Sequence, residues 1–334
     1  MEAFSHSWAN RRGFTLTCPH DAETLRDDSA SLVCGACGRS YPVVGGVPVL
    51  IRDGVSAFAV ADYVSAEGYE GASYGRVADR NSGLRRHARR WARRLGDVKS
   101  SIRHPGEHQA IEYVRALRGT PRILIIGSGG VRVGEEGDRV MHTDVAFGPA
   151  VDAIADAHDL PFPPCSFDLV IAIAVLEHVA DPQRCAGEIA RVLAPGGHVY
   201  AVTPFLQPVH MGAYDFTRFT PIGHRRLFRA FDEVAGGVSL GAGSTLAWAI
   251  GGVLGAVSRA RPWRRLARSL SLVLAVPLRL ADRWLPNSAD AAGGSWFFGR
   301  LRDGPPVSDR ELVQGYRQSF GMGPEHLPTP PAAG

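Results

Sequence analysis

Four groups of residues in this chain have types and spacings that could do chemistry. Cys34-Gly35-Ala36-Cys37 is a CxxC knuckle, the spacing at which two thiolates grip one zinc ion; Cys18 offers a third ligand, and Asp21 or His20 a fourth. Gly127-Ser128-Gly129 follows the apolar run Arg122 to Ile126, as a strand enters a phosphate- or cofactor-binding loop, although Gly-x-Gly alone equally describes a plain turn. Asp144 and Asp156 stand near the ends of the next two strand-like runs. An acid at the tip of a second strand is placed to take both ribose hydroxyls of a nucleoside. His178 follows a fourth apolar run, and His210, Tyr214, Asp215, Arg218 and His224 crowd one polar-aromatic loop. Loops of that composition carry function more often than cores do. His178, Tyr214 and His210 are the candidates for moving a proton at an acceptor atom.

These residues need a frame. From Ile123 onward apolar strands alternate with helical patterns, which predicts an α/β fold: a mostly parallel, Rossmann-like sheet wrapped by helices. "SFDLVIAIAVLEHV" is continuously apolar at its centre, as a strand covered on both faces should be. Asp181-Pro182 supplies an N-cap and a first-turn proline for a helix running to Leu193. "APGGHVYAVTPF" then gives a glycine stop and a fifth strand, and "GGSWFFGRL" a final one. A helix over His108 to Leu117 leads into the glycine turn. The helix after that turn is poor, because "GVRVGEEGDRV" has two internal glycines. Upstream, "LTCPHDAETL" and "LVCGACGRSYPVVGGVPVLI" read as two small hairpins.

The strings "DAHDLPF", "SFDLV", "VLEHV", "DP" and "EIARVLAPGG" occur in order, and together they resemble the class I S-adenosylmethionine-dependent methyltransferases of the broad type-11 group, over about residues 121 to 235. The resemblance implies S-adenosyl-L-methionine as cofactor. It places Gly127 and Gly129 against the methionine part, Asp144 on the ribose and Asp156 on the adenine amino group, with the Ala157 amide beside it. Ile125 stands where the family carries an acid. The first fifty residues resemble the zinc-ribbon module related to the small activator subunit of tRNA methyltransferases, chiefly through Tyr41 to Leu50. That likeness implies at most one structural zinc, on Cys18, Asp21, Cys34 and Cys37. The alternative is a ribbon that holds no metal.

The domain reading is a ribbon-like module at 1–52 and a helical connector at 53–118. The cofactor-binding domain follows at 119–303 with a helical insertion at 245–285, and then a short helix and disordered tail at 304–334. A formal charge of +4 and five cysteines suit a reducing cytoplasm, and no basic, apolar leader opens the chain. Arginines 85, 86, 89, 90, 93 and 94 form one basic helical stripe. No charge occurs between Val234 and Ser258, after which Arg and Trp mix with aliphatics. That insertion is either a lid over the acceptor pocket or an interfacial helix pair that touches an anionic membrane. The expected acceptor is a small molecule, or one linked to a lipid or sugar. A non-catalytic partner subunit is the competing reading, and nucleic acid ranks last.

Overall fold

The computed structural model describes residues 8–64, 102–135, 137–285, 289–319 and 323–331. The arginine stripe lies outside them. Thirteen strands are found among the described residues. The first pair, β1 (Asn10–Arg11) and β2 (Phe14–Thr15), forms a small hairpin. The ribbon continues through β3 (Leu25–Asp28), β4 (Ser31–Cys34), β5 (Ser40–Val44) and β6 (Val47–Leu50), with β3–β4, β4–β5 and β5–β6 paired antiparallel. The α/β part is built from β7 (Arg122–Ile126), β8 (Arg139–Asp144), β9 (Ala153–Ala155), β10 (Phe167–Ile173) and β11 (Leu193–Pro204). Two further strands, β12 (Phe231–Leu240) and β13 (Gly294–Leu301), close its far edge.

The large sheet runs β12-β13-β11-β10-β7-β8-β9-β6-β5-β4-β3. From β9 to β11 all neighbours are parallel, and chain order reverses between β7 and β10. Open parallel sheets leave a crevice at that switch point, beyond the carboxyl ends of the strands. The alternation of side chains sets the two faces. Leu124 and Ile126 join one core with Val170, Ile189 and Phe297. Ile123 and Ile125 join the other, under α2 (Glu107–Arg118; α1 is Val60–Val64) with Ala110, Ile111 and Val114. Ile125, at the position where an acid was expected, is therefore a core residue.

The ribbon is fused to this sheet. Val49 and Leu50 of β6 pair in parallel with Ile154 and Ala155 of β9. Phe14 stacks on Phe167 at 4.8 Å, and Arg12 pairs with the buried Asp152 at 2.9 Å. Asp181 caps α3 (Pro182–Val192) by accepting from the Arg184 amide at 3.0 Å. In contrast, no helix separates β7 from β8 among the described residues. The loop's polar groups are met by side chains instead. The Val133 amide donates to His142 at 3.1 Å, and Arg115 holds Asp138 through two bonds of 2.9 Å.

Beyond β11 come α4 (Pro221–Leu227) and a helical hairpin, α5 (Ala242–Ala256) and α6 (Arg261–Ala281). Glycine permits their contact: a Cβ on Gly243 would lie 1.9 Å from the Leu278 carbonyl oxygen. The buried Asp282 carboxylate accepts from the Gly243 and Ser244 amides, at 2.6 and 3.2 Å, and so satisfies the start of α5. Val253, Leu266, Val273 and Trp284 remain exposed. No described helix is long and apolar enough to cross a membrane. The capping box of α7 (Asp309–Ser319) is present, with Glu311 and Ser308 bonding reciprocally. Residues 323–331 depart from the disorder expected of their composition: Leu327 packs on the α2 side of the core and its amide donates to Gln109.

Candidate functional site

At the carboxyl ends of β7, β8, β9 and β10 lies a cavity of about 110 Å³. Gly127, Asp144, Asp156, Ala157, His178 and Tyr214 line it, six of the residues singled out from the sequence. Gly129 does not line it, but its amide donates to Asp144 at 2.7 Å. The second Asp144 oxygen accepts from Ala146 at 2.9 Å. Burial raises the Asp144 carboxyl above its ordinary range, and these amides oppose the shift. Asp144 thus pins the glycine turn while facing the cavity. Gly127 is in the left-handed region at φ +67, where glycine is favoured.

Asp156 is held more tightly. One oxygen accepts from the His158 ring at 2.5 Å and from its amide at 3.0 Å, and the other accepts from the Ser56 hydroxyl. Burial by itself would raise this carboxyl, but the His158 and Ser56 contacts outweigh it and hold the group below its usual range. His158 in turn accepts the Asp181 amide on Nε2 at 3.0 Å, so its hydrogen sits on Nδ1, toward Asp156.

Ser56 belongs to a strap that sequence reasoning missed. Ala57 and Phe58 line the cavity, Phe58 stacks on Tyr214 at 5.5 Å, and the Tyr63 hydroxyl donates to the Val145 carbonyl at 2.7 Å. The segment carries no motif; its only signal is aromatic residues in an otherwise plain linker. It explains the cavity's size, since pockets for ligands of cofactor size run to roughly 300–1,000 Å³.

On the far side, His178 donates from Nδ1 to the Tyr214 carbonyl at 2.7 Å, and its Nε2 lies 3.1 Å from Nε2 of His210. Burial lowers the His178 pKa. Asp215 and Arg218 form a forked ion pair that braces the loop, and Asp215 also accepts the His210 amide at 2.9 Å. His224 is a correction to the loop cluster. It is buried beneath the loop, with its ring 5.3 Å from Phe228, and belongs to the core. Sequence reasoning also passed over Glu177, which is fully buried with both carboxylate oxygens unpartnered; burial pushes it up to about 7.

The ribbon gathers its expected ligands. Donor atoms of Cys18, Asp21, Cys34 and Cys37 all lie within 4.8 Å of one another, and His20 is outside the group. Cys18 and Cys37 sulfurs are 3.7 Å apart, and Cys34 lies 3.3 Å from an Asp21 oxygen. Tetrahedral zinc with bonds of about 2.3 Å to sulfur and 2.0 Å to oxygen requires separations of about 3.5–3.8 Å. The Cys18–Cys37 separation meets this and the Cys34–Asp21 one falls about 0.2 Å short of it, so the donor set fits such an ion after a small opening.

Residues 139–201 match the family model described as a methyltransferase domain. A ubiquinone/menaquinone biosynthesis C-methyltransferase of Hydrogenovibrio crunogenus is 30% identical over 127 residues, 37% of this chain and 49% of that protein. A 27-O-demethylrifamycin SV methyltransferase of Amycolatopsis mediterranei is 42% identical over 62 residues, 19% of this chain and 22% of that protein. The chain thus spans half or less of the length of these relatives. Among solved structures, a putative sarcosine dimethylglycine methyltransferase from Galdieria sulphuraria is similar at 14% identity and a TM-score of 0.39, over 67% of this chain and 90% of that one. The segment that matches the methyltransferase-domain model runs from β8 to β11 and supplies Asp144, Asp156, Ala157 and His178, so family likeness and cavity fall on the same residues.

Proposed function

We propose that the chain is an S-adenosylmethionine-dependent methyltransferase acting on a small-molecule acceptor or one linked to a lipid or sugar. One observation carries this reading: two buried acids at successive strand tips and the glycine turn share a cavity with His178 at the sheet's switch point. When bound, S-adenosylmethionine supplies an electrophilic methyl group on a sulfonium.

The residues present fit that group. Asp144 offers a buried charged acceptor suited to vicinal hydroxyls. Asp156 offers one to an amino group once the Ser56 hydroxyl gives way. Gly129 has open space where a Cβ would stand, so a ligand can approach its backbone. The strap and the Phe58–Tyr214 stack exclude water from the reacting centre. His178, on the acceptor side, is the group placed to hold or take a proton.

The helical hairpin does not line the cavity, which weakens the lid reading for this conformation. Its exposed aliphatics, with Arg261, Arg264 and Arg265 beside a groove, favour delivery of the acceptor from an anionic lipid surface. In the ribbon, Cys18, Asp21, Cys34 and Cys37 would hold one structural zinc. Calorimetry with S-adenosylmethionine and S-adenosylhomocysteine is the test of the main reading. A folded chain that binds neither is not an enzyme of this class, and the partner-subunit reading would replace it.

A further inference from the structure

Beside the cavity, His178 of its lining stands next to Glu177 and His210, an arrangement the methyl-transfer reading does not require. His178 donates its Nδ1 hydrogen to the Tyr214 carbonyl at 2.7 Å, so its neutral ring presents a bare Nε2. His210 has its Nδ1 3.4 Å from the Pro208 carbonyl and 3.5 Å from Asp215, both acceptors. With the His210 hydrogen on Nδ1 two nitrogen lone pairs face each other at 3.1 Å, and with it on Nε2 His210 donates to His178. In the first tautomer a cation between the two nitrogens would meet both lone pairs. The third group is Glu177, fully buried, with neither carboxylate oxygen hydrogen-bonded and Oε1 3.6 Å from His178 Nε2. A buried carboxylate kept charged without a partner is costly, which is why burial raises this group, and a bound cation would relieve that cost.

We infer that Glu177, His178 and His210 form a binding site for one divalent transition-metal ion. Donor atoms of all three lie within 4.8 Å of one another. At metal–nitrogen bonds of about 2.1 Å, two imidazoles on one ion stand roughly 3.0–3.4 Å apart, which brackets the separation found here. Two imidazoles and one carboxylate on one side of an ion leave positions open for water or substrate. The Nδ1 contacts of His178 to the Tyr214 carbonyl and of His210 to the Pro208 carbonyl would orient the two rings as ligands. The forked Asp215–Arg218 pair then has a purpose, since it fixes the loop that carries His210.

The site's use rests on the methyl-transfer reading, although its existence does not. An acceptor hydroxyl completing the coordination would lose its proton to solvent at lower pH than a free one, leaving a metal-bound oxygen anion beside the cavity. This assigns oxygen, rather than carbon, as the acceptor atom; with the ion bound His178 serves as a ligand, and the proton-holding role given to it above belongs to the ion-free chain.

The test uses the full chain, reduced and preloaded with one equivalent of zinc to fill the ribbon thiolates. Manganese(II), a hard ion that avoids sulfur, is then titrated by calorimetry and electron paramagnetic resonance. One manganese ion per chain is expected, with affinity falling at least tenfold in Glu177→Gln and in His210→Ala. His210 sits on an exposed loop, so that variant keeps the fold. S-adenosylhomocysteine binding, measured on the same samples, separates the two claims. Manganese binding without S-adenosylhomocysteine binding would leave the metal site standing and remove its role in methyl transfer. Intact S-adenosylhomocysteine binding with no manganese uptake, or uptake equal in wild type and both variants, overturns the site.

Discussion

Gly127→Ala should damage both stability and cofactor binding, and the structure says by how much and through which atoms. The residue sits at φ +67. A Cβ in that region costs roughly 1–2 kcal/mol. The same Cβ would stand 2.3 Å from Val175 Cγ2. Overpacking of this kind typically costs about 1–3 kcal/mol. Together these give a loss of about 2–5 kcal/mol, unless the turn shifts away from Val175 and takes the Gly129–Asp144 contact with it. The two parts can be separated. Val175 Cβ is 3.5 Å away, an ordinary contact, so Val175→Ala removes the clash and leaves the backbone strain. Urea unfolding of wild type, both single variants and the double variant gives a mutant cycle whose coupling should be about 1–3 kcal/mol. S-adenosylhomocysteine affinity should fall in Gly127→Ala and recover in part in the double variant. A Gly127→Ala protein within about 0.5 kcal/mol of wild type, or a cycle with no coupling, would refute the close approach on which the argument rests.

Other outcomes follow from the same geometry. Asp144→Asn should weaken S-adenosylhomocysteine binding by about 1.5–3 kcal/mol, the worth of a hydrogen bond to a charged group, and unchanged affinity by calorimetry would remove ribose binding from the account. Ser56→Ala frees an Asp156 oxygen, so it should strengthen that binding by about 1 kcal/mol; weaker binding would mean the strap helps to build the site rather than compete for it. Protein purified without chelators should contain one zinc in the ribbon, lost in Cys34→Ser, and elemental analysis decides it. Burial pushes His198 and His224 down to about 4 and about 3, and one ring nitrogen on each lacks a partner. Because the unfolded chain binds these protons first, stability present above pH 6.5 is lost as pH falls, by about 1.4 kcal/mol per pH unit for each histidine. His224→Leu should flatten the acid limb of the denaturation profile, and an unchanged limb would contradict its burial. If the hairpin meets lipid, the chain should sediment with anionic vesicles and be released by salt, with Arg264→Glu/Arg265→Glu abolishing both; failure to bind any vesicle leaves a soluble acceptor.

The sequence by itself determined the α/β fold, the strands at Ile123, Arg139 and Phe167, the Asp181 cap and the tip positions of Asp144 and Asp156. All of these are local: strand periodicity, a cap and the residue at a strand's end are written within a few neighbours, and side-chain alternation makes them readable. It also pointed to Cys34, Cys37 and Cys18 as one group, because a knuckle fixes its own spacing, but left the fourth member open between Asp21 and His20, and the fold brings Asp21 to the thiols. What only the tertiary structure decided lies at contacts between distant segments. Ser56 and Phe58 reach Asp156 and Tyr214 across about a hundred residues or more, with no periodicity to announce them. His224 and His210 look alike in one loop, yet one faces the phenylalanine core and the other faces His178. Glu177 reads as part of a common "LEHV" string, and burial with no partner is a property of its surroundings alone. The helix missing after Gly127 was half visible in its glycines, but its replacement by Asp138 and His142 was not. Backbone geometry is set by near neighbours, whereas the charge and reach of a side chain acquire meaning only from whatever the fold places opposite it.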